Sequence, residues 1–135
     1  MSQENVELVR RSWEAWERGD MEAIFAFYDP EIVSDQTPYW EGELATLYRG
    51  HDGIRQLFRD WLETFESFYA QAEDFIDAGD AVVARCRQGG RGKQSGAEVL
   101  TPPFWLVYRL RDGRAVRIEA YTDQDEALQA VGLKG

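Results

Sequence analysis

Few residues in this chain could do chemistry. Asp35 stands at the end of the short alternating segment Glu31 to Asp35, just before Gln36-Thr37-Pro38 and the aromatics Tyr39 and Trp40. A carboxylate held beside Trp and Tyr in an apolar pocket has a raised pKa and can take a proton from a carbon acid. The alternative is an Asp that caps a turn at a strand end. His51, the one histidine, lies beside Gly50 and Asp52 at the start of an apolar-periodic segment. Histidine is the residue type suited to proton transfer at neutral pH, and here a capping role competes with a catalytic one. Cys86, the one cysteine, would need a neighbouring cation or imidazole to become a thiolate nucleophile. None shares its face, so it reads as a small buried apolar residue.

Single copies also exclude chemistry. One cysteine permits no internal disulfide and no multi-Cys zinc site. One histidine permits no two-His metal ligand set. The run GGRGK at 89–93 lacks the spacing of a phosphate-binding loop and precedes no helix. Arg85 and Arg87 could grip an anion, but their alternation favours the solvated side of a strand. The net charge of −10 argues against nucleic acid, which needs a basic face, and against an anionic membrane surface. No metal or organic cofactor is expected.

The elements that position these residues fall into two halves. Val6, Val9, Trp13 and Trp16 recur at helical spacing until Gly19-Asp20. A short helix from Met21 to about Tyr28 ends at Asp29-Pro30. Residues 36–50 carry Pro, Gly and large aromatics and read as a long loop covering something. Ile54, Leu57, Phe58, Trp61, Leu62 and Phe65 then mark the strongest amphipathic helix. After Ser67 the period becomes two. Strands are expected over 68–77, 81–91, 97–111 and 114–123, with a hairpin tip in GGRGKQSG (89–96). Pro102-Pro103 predicts a bulge, bend or edge. Asp112-Gly113 predicts a two-residue hairpin turn. A short helix at 125–128 closes the chain. Helices followed by an antiparallel meander give an α+β class in one domain over 1–135. The first twenty residues are charged throughout, and no apolar run reaches membrane-spanning length, so a soluble cytoplasmic protein is expected.

Register assigns faces. With Asp112-Gly113 as the turn, Arg109 would face Val116, Val107 would face Ile118 and Trp105 would face Ala120. The helix side would then carry Trp105, Val107, Val116, Ile118 and Ala120. The outer side would carry Phe104, Leu106, Tyr108, Arg117, Glu119, Tyr121 and Asp123. That aromatic outer patch is too apolar to leave wet and predicts a homodimer through the outer sheet face. Between 82 and 88, Val82, Ala84, Cys86 and Gln88 are placed inside. Trp105, Trp61 and Phe65 could line a pocket for a flat apolar ligand, or form plain core.

The segments WERGDMEAIFAFYDPEIV, YRGHDGIRQLFRDW, AGDAVVARCRQGGRGKQSG and YRLRDGRAVRIEAYTDQDEALQAVGL run in family order over nearly the whole chain. In them the chain resembles the SnoaL-like group of the nuclear transport factor 2-like superfamily. The resemblance implies a cone-shaped α+β roll, a strongly bent mixed or antiparallel sheet wrapped around the N-terminal helices, with an internal pocket and frequent dimerisation. That superfamily hosts isomerases, cyclases, dehydratases, epoxide hydrolases and non-catalytic binders, so the likeness specifies fold more than function. Ketosteroid-isomerase-like members carry a carboxylate base just after the first short strand, where this chain has Asp35. Their two oxyanion donors fall at Ser12 and Trp105 here and are therefore missing. The Asp-Arg-Asp set of limonene-epoxide-hydrolase-like members falls at Cys86, Gln88 and Ala120 and is missing too. The implied pocket would be lined by Ser12, Trp16, Tyr39, Trp40, Trp61 and Phe65 on one side. Cys86, Gln88, Trp105, Ile118 and Ala120 would line the other. The expected function is binding of a hydrophobic small molecule. The chain would be a cofactor-independent isomerase, cyclase, lyase or hydrolase with Asp35 as acid/base, or else a non-catalytic binding or dimerisation module.

Overall fold

The computed structural model describes residues 2–36, 47–92, 98–100 and 102–133, with the main chain alone at 2, 61, 64–68, 92 and 98–100. Helix α1 (Ser2–Glu17) buries Val9 and Ala15 and packs Val6, Trp13 and Trp16 against the same core, as its spacing predicts. Gly19 at φ +73° takes the left-handed conformation that ends it. Asp20 caps α2 (Met21–Phe27) by accepting from the Ala23 amide at 3.1 Å.

Strand β1 (Tyr28–Asp35) starts directly from that helix, three residues earlier than its alternation suggests. Inside the expected loop, β2 (Leu47–Arg49) pairs antiparallel with β1. The motif YRGHDGI then makes a tight entry into α3 (Gly50–Thr64). Gly50 has φ +70°, and a Cβ there would lie 3.3 Å from the Pro30 carbonyl oxygen. The His51 imidazole donates from Nε2 to the Tyr28 carbonyl at 2.8 Å, because a carbonyl can only accept. His51 thus ties the start of α3 to the start of β1.

The remaining strands are β3 (Phe65–Asp77), β4 (Ala81–Gly92), β5 (Glu98–Leu100), β6 (Phe104–Arg111) and β7 (Arg114–Tyr121), followed by α4 (Gln124–Ala130). The sheet order is β2-β1-β7-β6-β4-β3, with β5 pairing the far end of β4. Gly89 to Arg91 are therefore paired strand and not a hairpin tip, and 93–97 lie outside the described residues. The expected strand over 97–111 is split at Pro102-Pro103, where a bend was foreseen. Strand β1 runs parallel to β7 while every other pairing among the described residues is antiparallel, so the sheet is mixed and open. Helix α1 packs on β3 and β4 and α3 on β1 and β3, so the helices lie across the concave side. The fold is the expected α+β roll. Among the described residues no helix is long and apolar enough to cross a membrane.

One register differs from expectation and reverses a strand. Asp112 (φ 53°) and Gly113 (φ 77°) form the foreseen turn, with Arg111 opposite Arg114. The pairing then shifts between Leu110↔Ala115 and Arg109↔Arg117, which leaves Val116 as the extra residue of a bulge. Beyond it Tyr108 faces Ile118 and Leu106 faces Ala120. Side chains alternate along a strand, so a slip of one exchanges the two faces of β6. Phe104, Leu106 and Tyr108 turn toward the helices, with Phe104 7% and Tyr108 3% exposed. Trp105 and Val107 turn outward, where Val83, Val107, Ala127 and Leu128 form a second small core with Trp105 and Tyr121 packed on it under α4. Of the outer patch on which the homodimer expectation rested, Phe104, Leu106 and Tyr108 are thus turned inward, and Tyr121 stays outside, packed on the small core under α4.

Candidate functional site

Between α1, α3 and the concave sheet face lies a cavity of about 130 Å³. Helix α1 contributes Ser12, Trp13 and Trp16; α3 contributes Ile54, Leu57, Phe58 and Leu62. The sheet contributes Tyr28, Ser34 and Gln36 at one side and Ala70, Gln88, Phe104, Leu106, Tyr108, Ile118 and Ala120 across the floor. Leu62 is 46% exposed and marks the mouth. The wall is stiffened by aromatic contacts, with Trp16 and Phe58 at 5.3 Å and Phe25 and Phe58 at 6.1 Å between ring centres.

The described polar groups of this wall are all neutral. The Ser12 hydroxyl donates to the Val9 carbonyl of its own helix at 2.6 Å. The Gln36 amide nitrogen donates to Ser34 Oγ at 3.2 Å. Gln88 is 8% exposed. Burial pushes the Tyr28 phenol well above its ordinary value. It does the same to Tyr108, with the neighbouring Tyr28 and Cys86 adding to the effect. Both phenols therefore stay protonated and act as hydrogen-bonding groups, not as bases. Among the described residues no carboxylate, cation or imidazole reaches the wall, and no cluster of three or more His, Cys, Asp or Glu is poised for a metal ion.

Asp35 lies elsewhere. Ser34, 1% exposed, and Gln36 face the cavity; strand alternation sends the residue between them to the opposite side. There Asp35 Oδ2 accepts from Arg117 Nη2 at 2.7 Å. Arg117 Nε donates to Glu119 Oε2 at 2.9 Å, and Arg109 Nη2 to Glu119 Oε1 at 3.1 Å and to the Ala130 carbonyl at 3.0 Å. The result is a charged ladder across β1, β7 and β6.

Of the other residues singled out from sequence, the structure brings Ser12, Trp16, Gln88, Ile118 and Ala120 together on the wall. Trp105 is placed on the outer face by the bulge. Cys86 is fully buried in the main core behind the wall, and burial pushes its thiol well up, so no thiolate forms. Tyr39 and Trp40 lie outside the described residues, as do the side chains of Trp61 and Phe65. Sequence reasoning missed Trp13, Tyr28, Ser34, Gln36 and Tyr108. For Ser34 the signal was present: with Ile32 buried, the same alternation buries Ser34 and turns Asp35 away.

Solved structures share this architecture. An NTF2-like protein from Burkholderia thailandensis is 27% identical, with 88% of this chain and 90% of that chain covered and a TM-score of 0.77. Bal32a, from a soil-derived mobile gene cassette, is 21% identical with 89% of each chain covered and a TM-score of 0.75. TerC, co-crystallised with polyporic acid, is 21% identical, with 95% of this chain and 98% of that one covered and a TM-score of 0.74. No curated protein sequence matches the chain. The model of the SnoaL-like domain matches residues 9–118, most of both the helical layer and the sheet just described. The chain belongs to the SnoaL-like domain family.

Proposed function

We propose that this chain binds a small, largely apolar and uncharged organic molecule in the cavity between α1, α3 and the concave sheet face. The observation that carries this reading is a wall of aromatic and aliphatic side chains whose described polar groups are all neutral. A charged ligand would be desolvated there without a counter-ion, at a cost of several kcal/mol. A volume of about 130 Å³ is close to the roughly 150 Å³ that accommodates benzene in an apolar cavity. The ligand is thus one ring, or a bicycle projecting through the mouth at Leu62. TerC, of the same fold, was co-crystallised with polyporic acid, so planar oxygenated aromatics head the trial set. Acid–base catalysis by Asp35 has less support, because its carboxylate accepts from Arg117 on the far side of β1. The binding reading requires no metal or organic cofactor.

Calorimetric titration with indane and 1-indanone tests it. About ten heavy atoms at roughly 0.5 kcal/mol each give about −5 kcal/mol, a Kd on the order of 0.2 mM. Ala120→Trp, which fills the floor, should abolish the binding. Absence of saturable binding to the folded wild type would overturn the reading.

A further inference from the structure

Among the described polar groups of the cavity wall, two phenols are uncommitted. The Ser12 hydroxyl is used on its own helix and the Gln36 amide on Ser34. The hydroxyls of Tyr28 and Tyr108 make no direct hydrogen bond to each other, and Tyr108 is 3% exposed. The indole of Trp13 lies against Tyr108: its N–H approaches the phenol oxygen but completes no hydrogen bond and is fully buried. An indole N–H can only donate. The oxygen of Tyr108 must therefore turn a lone pair toward Trp13, which leaves its own O–H for another acceptor. No described residue supplies that acceptor, and the Tyr108 side chain lines the cavity.

We infer that the Tyr108 hydroxyl, oriented by the Trp13 indole, donates a hydrogen bond to a carbonyl oxygen of the bound ligand. The inference rests on the proposed binding function and narrows the ligand to neutral ketones, quinones and related carbonyl compounds. Tyr108 makes the contact and Trp13 is a positioning residue. When the acceptor arrives, the Tyr108 oxygen polarises and the adjacent Trp13 N–H closes its incomplete bond, so both buried donors are satisfied together. A hydrocarbon of the same shape satisfies neither.

The test compares 1-indanone with indane, which lacks only the carbonyl oxygen, in the wild type and in Tyr108→Phe. The expected result is that Tyr108→Phe weakens 1-indanone on the order of fivefold, the worth of one neutral hydrogen bond, and leaves indane unchanged. Infrared spectra of bound 1-indanone should show the C=O stretch at lower frequency than in an alkane solvent, returning toward the alkane value in Tyr108→Phe. Trp13→Phe should reduce the frequency shift without removing it. Equal loss for both ligands in Tyr108→Phe, or an unshifted stretch in the wild type, overturns the inference while the cavity remains a binding site. If neither ligand binds the wild type, the binding function falls and the inference with it. Should Tyr108→Phe fail to fold, the wild-type stretch decides alone.

Discussion

Asp35 shows how one strand position separates two kinds of chemistry. Its neighbours Ser34 and Gln36 face the cavity, while its carboxylate is held by Arg117. The pair is partly exposed, 19% for Asp35 and 36% for Arg117, and Arg117 keeps Glu119 if Asp35 is neutralised. Asp35→Asn should therefore cost only about 1 kcal/mol in urea denaturation and leave ligand affinity within about twofold by calorimetry. A large loss of affinity would mean that the carboxylate reaches the ligand after all. Gly50 is the opposite sort of position, fixed by backbone geometry. At φ +70°, with the Pro30 carbonyl oxygen 3.3 Å from where a Cβ would sit, Gly50→Ala should lower stability by roughly 1–2 kcal/mol. The loss should appear as a reduced urea midpoint with unchanged m-value.

At the scale of elements, the long helices were legible because their apolar period is strong. The two-residue turn at Asp112-Gly113 was legible because it needs positive φ at both positions. The face of β6 was not. A hairpin turn sets register only as far as the first bulge, and nothing local in RAVRIEA marks Val116 as the extra residue. The parallel pairing of β1 with β7 joins residues over eighty positions apart and has no local signature. Strand β2, three residues long, sits in a Pro- and Gly-containing stretch that reads as loop. The site followed the same logic. Trp16, Gln88, Ile118 and Ala120 came from faces assigned by periodicity and Ser12 from the family resemblance, whereas Tyr108 and Trp105 were exchanged by the bulge. A pair of variants checks the corrected faces. Phe104→Ala should cost about 3 kcal/mol and enlarge the cavity so that it accepts bulkier ligands. Trp105→Ala should leave ligand binding intact and instead weaken the hydrogen-exchange protection of the Ala127 and Leu128 amides, because Trp105 packs beneath α4.

For the whole molecule, buried protons set the response to alkali. Tyr28, Tyr108 and Cys86 all have folded-state pKa values raised by burial above ordinary values of 10 for the phenols and 9 for the thiol. The unfolded chain releases these protons first. The stabilisation is complete below about pH 9 and is lost progressively above it, by up to roughly 1.4 kcal/mol per pH unit for each group. Urea midpoints measured between pH 7 and pH 11 should fall along this course, and Tyr28→Phe with Tyr108→Phe should flatten the part above pH 10. Of the five tryptophans, the three whose side chains are described lie on either side of the sheet, which has a practical use. Trp13 and Trp16 border the cavity, and Trp105 lies in the separate core under α4. With Trp40 and Trp61 replaced by phenylalanine, emission from the first two indoles should be quenched by an entering quinone. Emission from the third should respond only when the C-terminal helix lifts off, so one spectrum can follow ligand entry and local unfolding as separate signals.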